Sequence, residues 1–284
     1  MVEIEKQGTP TVLIVSGRFE HDAKASARAF AMPEVRYVVV PWIYRNLDRS
    51  RTIQQTEAAF DELAWELTAD LGGSSESVKL VPTEVEQFEG ADYLDALQIM
   101  NREFLNRDWG DGFPLMPATV AEVEKMLGGT NLTPDHIVCD LPPGYGLATV
   151  EKIAINSVMA GALPQQMPVI IGALKALSQM EPEWVKSLLT STSSHASMLL
   201  VNGPIAKELD INGKAACMGP GQQNRTNLSI GRAYTLCLKN IGHWYPGQLD
   251  MDVLGTVRKF TVCIAENEDD SPWEPYHVEH GFTS

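Results

Sequence analysis

Gly219-Pro-Gly-Gln-Gln-Asn-Arg-Thr-Asn-Leu-Ser-Ile-Gly-Arg232 runs a glycine-rich loop straight into an amphipathic helix. Leu228, Ile230, Ala233, Leu236, Cys237, Leu238 and Ile241 recur at helical spacing, so the helix carries a buried stripe and belongs to a core. Thr226 or Asn227 is placed to cap it. Gly219 and Gly221 permit backbone angles closed to other residues, and Pro220 stiffens the turn between them. Main-chain N–H groups can then converge at the positively polarised helix start, where an anionic group binds favourably. Gly219, Gly221, Asn224, Arg225 and Thr226 therefore form a candidate substrate cradle, and Arg225 and Arg232 can grip a carboxylate or phosphate. The same residues also describe a tight turn before a capped helix with two solvated arginines. Their spacing matches neither the P-loop nor the dinucleotide fingerprint.

The rest of the chain bounds what this helix can belong to. With 284 residues and 44% hydrophobic content, the protein can bury a large core in one large domain or two unequal ones. A net charge of −15 argues against a nucleic-acid partner, which requires a basic face. The start Met1-Val-Glu-Ile-Glu-Lys6 shows no basic region followed by an apolar signal core, and no apolar run reaches the length of a membrane span. These features predict a cytoplasmic protein without membrane partners. Cys139, Cys217, Cys237 and Cys263 show no CxxC spacing, which fits reduced thiols. Cys237 and Cys263 read as core fillers, and Cys217, beside the cradle, is the candidate reactive thiol.

Upstream, Thr11–Val15 and Arg36–Val40 read as strands flanking a helix over Ala23–Ala31, a parallel β-α-β unit. A long helix over Thr52–Leu71 follows, with Phe60, Leu63, Ala64 and Leu67 on its inner face. Two strands are too few for an independent sheet, so the unit must lean on the rest of the chain, on another copy or on a different subunit, and a homo-oligomer or second subunit is the simplest cover. The expected fold class is α/β: a partial Rossmann-like β-α-β unit over residues 1–75, a linker over 76–91, and a larger mixed α/β domain over 92–284 that binds a ligand or is catalytic.

Within that larger domain, the loop Asp108-Trp-Gly-Asp-Gly-Phe-Pro114 sets two carboxylates, Asp108 and Asp111, among glycines and aromatics. Paired acids in such a setting can divide into an acid and a base, while the plainer reading has them closing turns or capping the next helix. A helix over Thr149–Met159 carries Glu151 in its first turn. The run Leu188–His195 brings hydroxyls and a histidine to a strand over Ser197–Val201, giving Ser193, His195 and Asn202 as candidate substrate contacts. Arg258–Ala265 alternates as a strand and ends at Glu268, a further candidate proton carrier. Glu274, His277 and His280 recur three residues apart and form a candidate divalent-metal set, although no HExxH accompanies them.

The Asp108 loop, the Thr149–Asn156 helix, Leu200-Val-Asn-Gly-Pro-Ile205, Gly219-Pro-Gly221 leading to Ser229-Ile-Gly-Arg232, Ala265-Glu-Asn-Glu268 and Ser271-Pro-Trp-Glu-Pro275 together resemble the UGSC family of (seleno)proteins. That likeness covers most of residues 90–282, and Gly8–Pro41 resembles the latter part of the family's N-terminal domain. The family's Sec/Cys-Gly-Ser-Cys motif does not occur in these residues, so the resemblance implies that thiol or selenol chemistry would be supplied by a second polypeptide. Three functions are consistent with these residues. The leading one is an enzyme subunit acting by lyase- or hydrolase-type acid–base chemistry on a small polar or anionic molecule, with Asp108, Asp111, Glu151 or Glu268 moving protons. The others are an oxidoreductase completed by a partner's thiol or selenol, and a non-catalytic scaffold or regulatory subunit. All three expect the pocket between the Asp108 loop, the Thr190–His195 loop, the Gly219 cradle and the Glu266–His277 tail.

Overall fold

The computed structural model describes residues 4, 8–17, 20, 23–24, 35–42, 44, 47–69 and 84–282. They divide into two compact units, Met1–Gln87 and Phe88–Ser284. The fold is mixed α/β, with small sheets and many helices.

In the first unit, β1 (Leu13–Ser16) pairs in parallel with β2 (Tyr37–Val40), with Ile14 opposite Val38. Helix α1 (Arg49–Thr68) begins where the Asp48 carboxylate accepts from the Arg51 N–H. Val38, Val40 and Ala59 form its small core, with Val12, Tyr44 and Leu63 against it. Two polar ties fix helix to strand. Gln55 exchanges hydrogen bonds with both backbone groups of Trp42, and the Arg36 guanidinium donates to the Glu66 and Ala69 carbonyls at the helix end, where a cation is favoured. The inner face of α1 differs from expectation: Gln55 and Ala59 are buried, while Phe60 and Leu67 are exposed. A sheet of two strands is too narrow to cover the whole apolar stripe. The helix expected over Ala23–Ala31 and the glycine-serine stretch at 72–77 lie outside the described residues.

The second unit holds α2 (Tyr93–Asn106), α3 (Val120–Leu127), the antiparallel pair β3 (Ile137–Leu141) and β4 (Gly146–Thr149), α4 (Val150–Met159), α5 (Met167–Ser178) and α6 (Pro182–Leu189). It continues through β5 (Leu199–Val201), α7 (Pro204–Glu208), α8 (Arg225–Asn240), β6 (Cys263–Ala265) and the single turn α9 (Tyr276–Glu279). Side-chain oxygens of Asp92, Thr119 and Thr149 cap α2, α3 and α4. Helix α8 packs against α4 and α5, and Ile153, Met167, Ile170, Leu174, Ile230, Leu236 and Leu238 are almost wholly buried there. That stripe is the one legible from residue 228 onward.

Strands β5 and β6 are parallel, Leu199 opposite Cys263 and Val201 opposite Ala265, and the Glu266 N–H extends the ladder to the Val201 carbonyl at 2.9 Å. Their carboxyl ends therefore deliver Asn202-Gly203 and Asn267-Glu268 side by side, the position at which open α/β sheets bind ligands. Arg258–Ala265 is a strand only in its last three residues. Thr256 instead caps a 3₁₀ turn over Val257–Lys259.

Candidate functional site

Just past β5, Gly203 takes a φ of +82°, and its N–H donates to Glu268 Oε1 at 2.6 Å. That φ lies in the region that favours glycine. The imidazole of His277, from α9, lies over Gly203 and brings Nδ1 to 3.4 Å from the same Oε1, with both side chains 11% exposed. His277 Nδ1 is fully buried and makes no hydrogen bond of good geometry. A carboxylate facing Nδ1 selects the tautomer protonated there and leaves Nε2 as the acceptor. Lys207, from α7, stands 3.9 Å from Glu268 Oε2 and 3.0 Å from Asp269, which Lys214 also pairs at 3.1 Å. Hydrogen bonding to Asp269 holds the Lys207 ammonium above its ordinary pKa, and Lys207 followed by Lys214 holds the Asp269 carboxyl below its own.

Beside this corner is a cavity of about 300 Å³ lined by Asn202, Gly203, Pro204, Tyr276, His277, His280 and Phe282. The His280 ring packs on Tyr276 with centroids 4.1 Å apart, and its Nδ1 lies 2.9 Å from the Tyr276 carbonyl. Of the residues singled out in the sequence, Asn202, His277 and His280 meet at this cavity, and Glu268 meets His277 beside it. Glu274 is exposed and does not line the cavity. The metal expectation is corrected: among the described residues no three His, Cys, Asp or Glu side chains are placed to hold a metal ion. One helical turn directs His277 toward Glu268 and lays His280 on Tyr276, so the three do not converge.

Asp108 and Asp111 are elsewhere. Both Asp111 carboxylate oxygens take hydrogen bonds from Arg232, at 2.6 and 2.9 Å, and Arg232 also donates to the Pro114 carbonyl. Lys239 Nζ donates to Asp108 Oδ1, the Asp108 carbonyl and the Gly110 carbonyl at 2.6, 2.6 and 2.8 Å. Lys239 lies about 21 Å along α8 from Arg225 at the helix start, so Asp108 and the Gly219 loop mark opposite ends of that helix. The four regions expected to share one pocket do not all line the cavity: neither the Asp108 loop, the Thr190–His195 loop nor the Gly219 loop contributes to it.

The Gly219 loop closes on itself. Asn224, fully buried, donates to the Ala216 and Gly219 carbonyls and accepts from Asn212, while Asn227 donates to the Asn212 and Cys217 carbonyls. Gly221 has φ +124°, whereas Gly219 keeps an ordinary φ and donates its N–H to Ala216. The helix start also differs from expectation. A 3₁₀ turn over Gln222–Asn224 leads into α8, Asn224 is the capping position without a side-chain cap, Thr226 lies inside the helix, and Arg225 is exposed.

Glu151 is half-buried in the first turn of α4, with its N–H on the Pro134 carbonyl. Ser193 and His195 are exposed, and their loop is tied instead to residues 250–259. There Asp252 accepts from Ser194 and from the N–H groups of Leu254 and Gly255, and Lys259 bridges Asp250 and Asp252. The Gly255 N–H is the largest cause, with Lys259 and Ser194 adding to it, of an Asp252 pKa lowered to about 2. Burial pushes the Cys139, Cys237 and Cys263 thiols up, Cys263 to about 12, which leaves them poor nucleophiles. Cys217 is half-buried.

Sequence reading missed Gly203, Pro204, Tyr276, Phe282 and Lys207 as parts of this corner. Asn202-Gly-Pro204 stood out only as a turn, although a glycine-proline pair at the carboxyl end of a strand marks where backbone approaches a ligand.

No helix among the described residues is long and apolar enough to cross a membrane. Neither a curated protein nor a solved structure matches the chain. The UGSC family model does match, over residues 1–69, which include Gly8–Pro41, where part of the sequence resemblance lies; residues 90–282 are outside the match. Over those first 69 residues the chain is similar to the UGSC family.

Proposed function

We propose that the chain is an enzyme subunit acting by acid–base chemistry on a small organic molecule, with His277 transferring the proton and Glu268 positioning it. One observation carries this reading: a histidine with a fully buried Nδ1, facing a carboxylate that is itself fixed by a backbone N–H, lines a cavity at the carboxyl ends of two parallel strands. A general base requires an oriented ring and room for a substrate, and both are present. The Nδ1 contact of 3.4 Å is of the kind that shortens when substrate fills a site. Lyase- or hydrolase-type proton transfer fits this arrangement because no cysteine lines the cavity, and three of the chain's own four thiols are raised by burial.

Four free cysteines support a cytoplasmic location. The exposure of Ile14 and Val39 on a two-stranded parallel sheet supports assembly with a second copy or another subunit, and light scattering on the purified chain tests that.

The decisive experiment screens small organic acids, amides and phenols by thermal shift, then follows turnover of the stabilising compounds against pH. The reading expects a pH profile in the wild type that His277→Gln removes while the melting temperature holds. Turnover with an unchanged profile in that variant would defeat it.

A further inference from the structure

Resting on the reading of His277 and Glu268 as a proton-transfer pair, we infer that the substrate is a planar, ring-bearing molecule with one carbonyl, amide or hydroxyl group, and not a phosphorylated or otherwise polyanionic compound. Three observations converge on this class.

The first is the lining. Pro204, Tyr276, His280 and Phe282 contribute flat or ring surfaces, and no lysine or arginine is among the lining residues. Lys207, close by, is held between Glu268 and Asp269, and Arg225, the cation expected to anchor an anion, is exposed in the first turn of α8 and does not line the cavity. Phosphate recognition uses cations, backbone N–H clusters or helix starts. Here the Gly203 N–H is already given to Glu268, and those of Tyr276, His280 and Phe282 to Glu266, Tyr276 and His277.

The second is the set of polar groups facing a ligand. The Asn202 carboxamide has no hydrogen-bond partner among the described residues; His277 Nδ1 faces Glu268 without a hydrogen bond, and His280 Nδ1 lies 2.9 Å from the Tyr276 carbonyl. One amide and two imidazole Nε2 atoms can exchange hydrogen bonds with a single neutral or singly ionised group.

The third is size and surface. A dry cavity of about 150 Å³ accepts a benzene ring, so one of about 300 Å³ takes a ring with a few substituents. Phe282 and Tyr276 are each more than half exposed at its edge, apolar surface that a flat ligand would remove from water.

Binding of benzamide, phenol, cyclohexanecarboxamide and inorganic phosphate to the full chain, measured by ligand-observed NMR titration for wild type, Asn202→Ala and His277→Gln, tests this. The expected result is that benzamide or phenol binds the wild type, that the saturated ring binds about tenfold more weakly, and that Asn202→Ala loses about tenfold in affinity. Phosphate or the saturated ring binding more tightly, in a manner lost in His277→Gln, would overturn the substrate class while leaving the proton-transfer site standing. Aromatic binding indifferent to both substitutions would overturn both. An absence of aromatic binding at millimolar concentration would overturn the class alone.

Discussion

The Asp108–Asp111 loop and the Glu268–His277 corner use similar residue types to opposite ends. In the loop, both oxygens of Asp111 are taken by Arg232, and Lys239 directs its ammonium at Asp108 and two carbonyls, so Asp111, Arg232 and Lys239 are engaged by the fold and only Asp108 keeps an exposed side. In the corner, Glu268 is engaged but the imidazole it faces lines a cavity and makes no hydrogen bond through Nδ1. A carboxylate clamped by a guanidinium joins elements together, whereas one that faces a histidine lining a cavity leaves that ring within reach of a ligand. The difference lies in what remains unpaired after folding.

The sharpest break between the two regions is expected from His277→Gln, which should lower turnover by roughly 10²–10⁴-fold with little change in urea midpoint. Asp111→Asn should leave turnover near wild type; the reverse pattern would exchange the roles of loop and corner. Next in size, Asp111→Ala strands a mostly buried Arg232, and breaking such a pair costs about 3–5 kcal/mol. Urea unfolding should show that loss, and adding Arg232→Met should recover part of it.

A smaller effect separates a third carboxylate, Asp252, that belongs with the clamps. Its pKa is lowered from 3.8 to about 2, so its contribution to stability is complete above 3.8 and fades as the pH falls toward 2. Wild type should exceed Asp252→Asn in stability near neutrality, with the gap closing across that window. A gap independent of pH between those values would remove Asp252 from the clamps. The smallest effect expected is on activity itself. A thiol reagent should modify Cys217 before the three burial-raised cysteines, and turnover should persist, in contrast to the outcome for an enzyme completed by thiol chemistry.

How much of this was legible in the sequence follows from the range of the forces involved. Helix α8 is readable because Leu228, Ile230, Ala233 and Leu236 repeat with the helical period, and α3 and α4 because a threonine precedes each. The parallel pairing of β1 and β2 is readable from two β-branched runs. Strand β4 is not, since Gly146-Leu-Ala-Thr149 carries no strand composition and exists by pairing with β3. Nor is the fate of Asp111, whose partner lies 121 residues away and could as well have been solvent. Asn202, Glu268, His277 and His280 were each identified from the sequence, but with roles assigned separately. Only the parallel register of β5 and β6, set by tertiary packing, brings the first two together, and only the turn of α9 sends His277 toward them while keeping Glu274 away.

The closed amide lattice around Gly219 bears on how the protein ages. Asn212-Gly213 is the kind of dipeptide that deamidates in an open chain, where the glycine nitrogen can reach the asparagine carboxamide. In the folded protein that carboxamide donates to Asn224 Oδ1 and the Ala215 carbonyl and accepts from the Lys214 N–H, which holds it away from the cyclising geometry. Chemical wear at this bond is thereby coupled to unfolding: Asn212 stays intact while Asn224 holds the lattice shut, and a charge change there records how often the loop has opened.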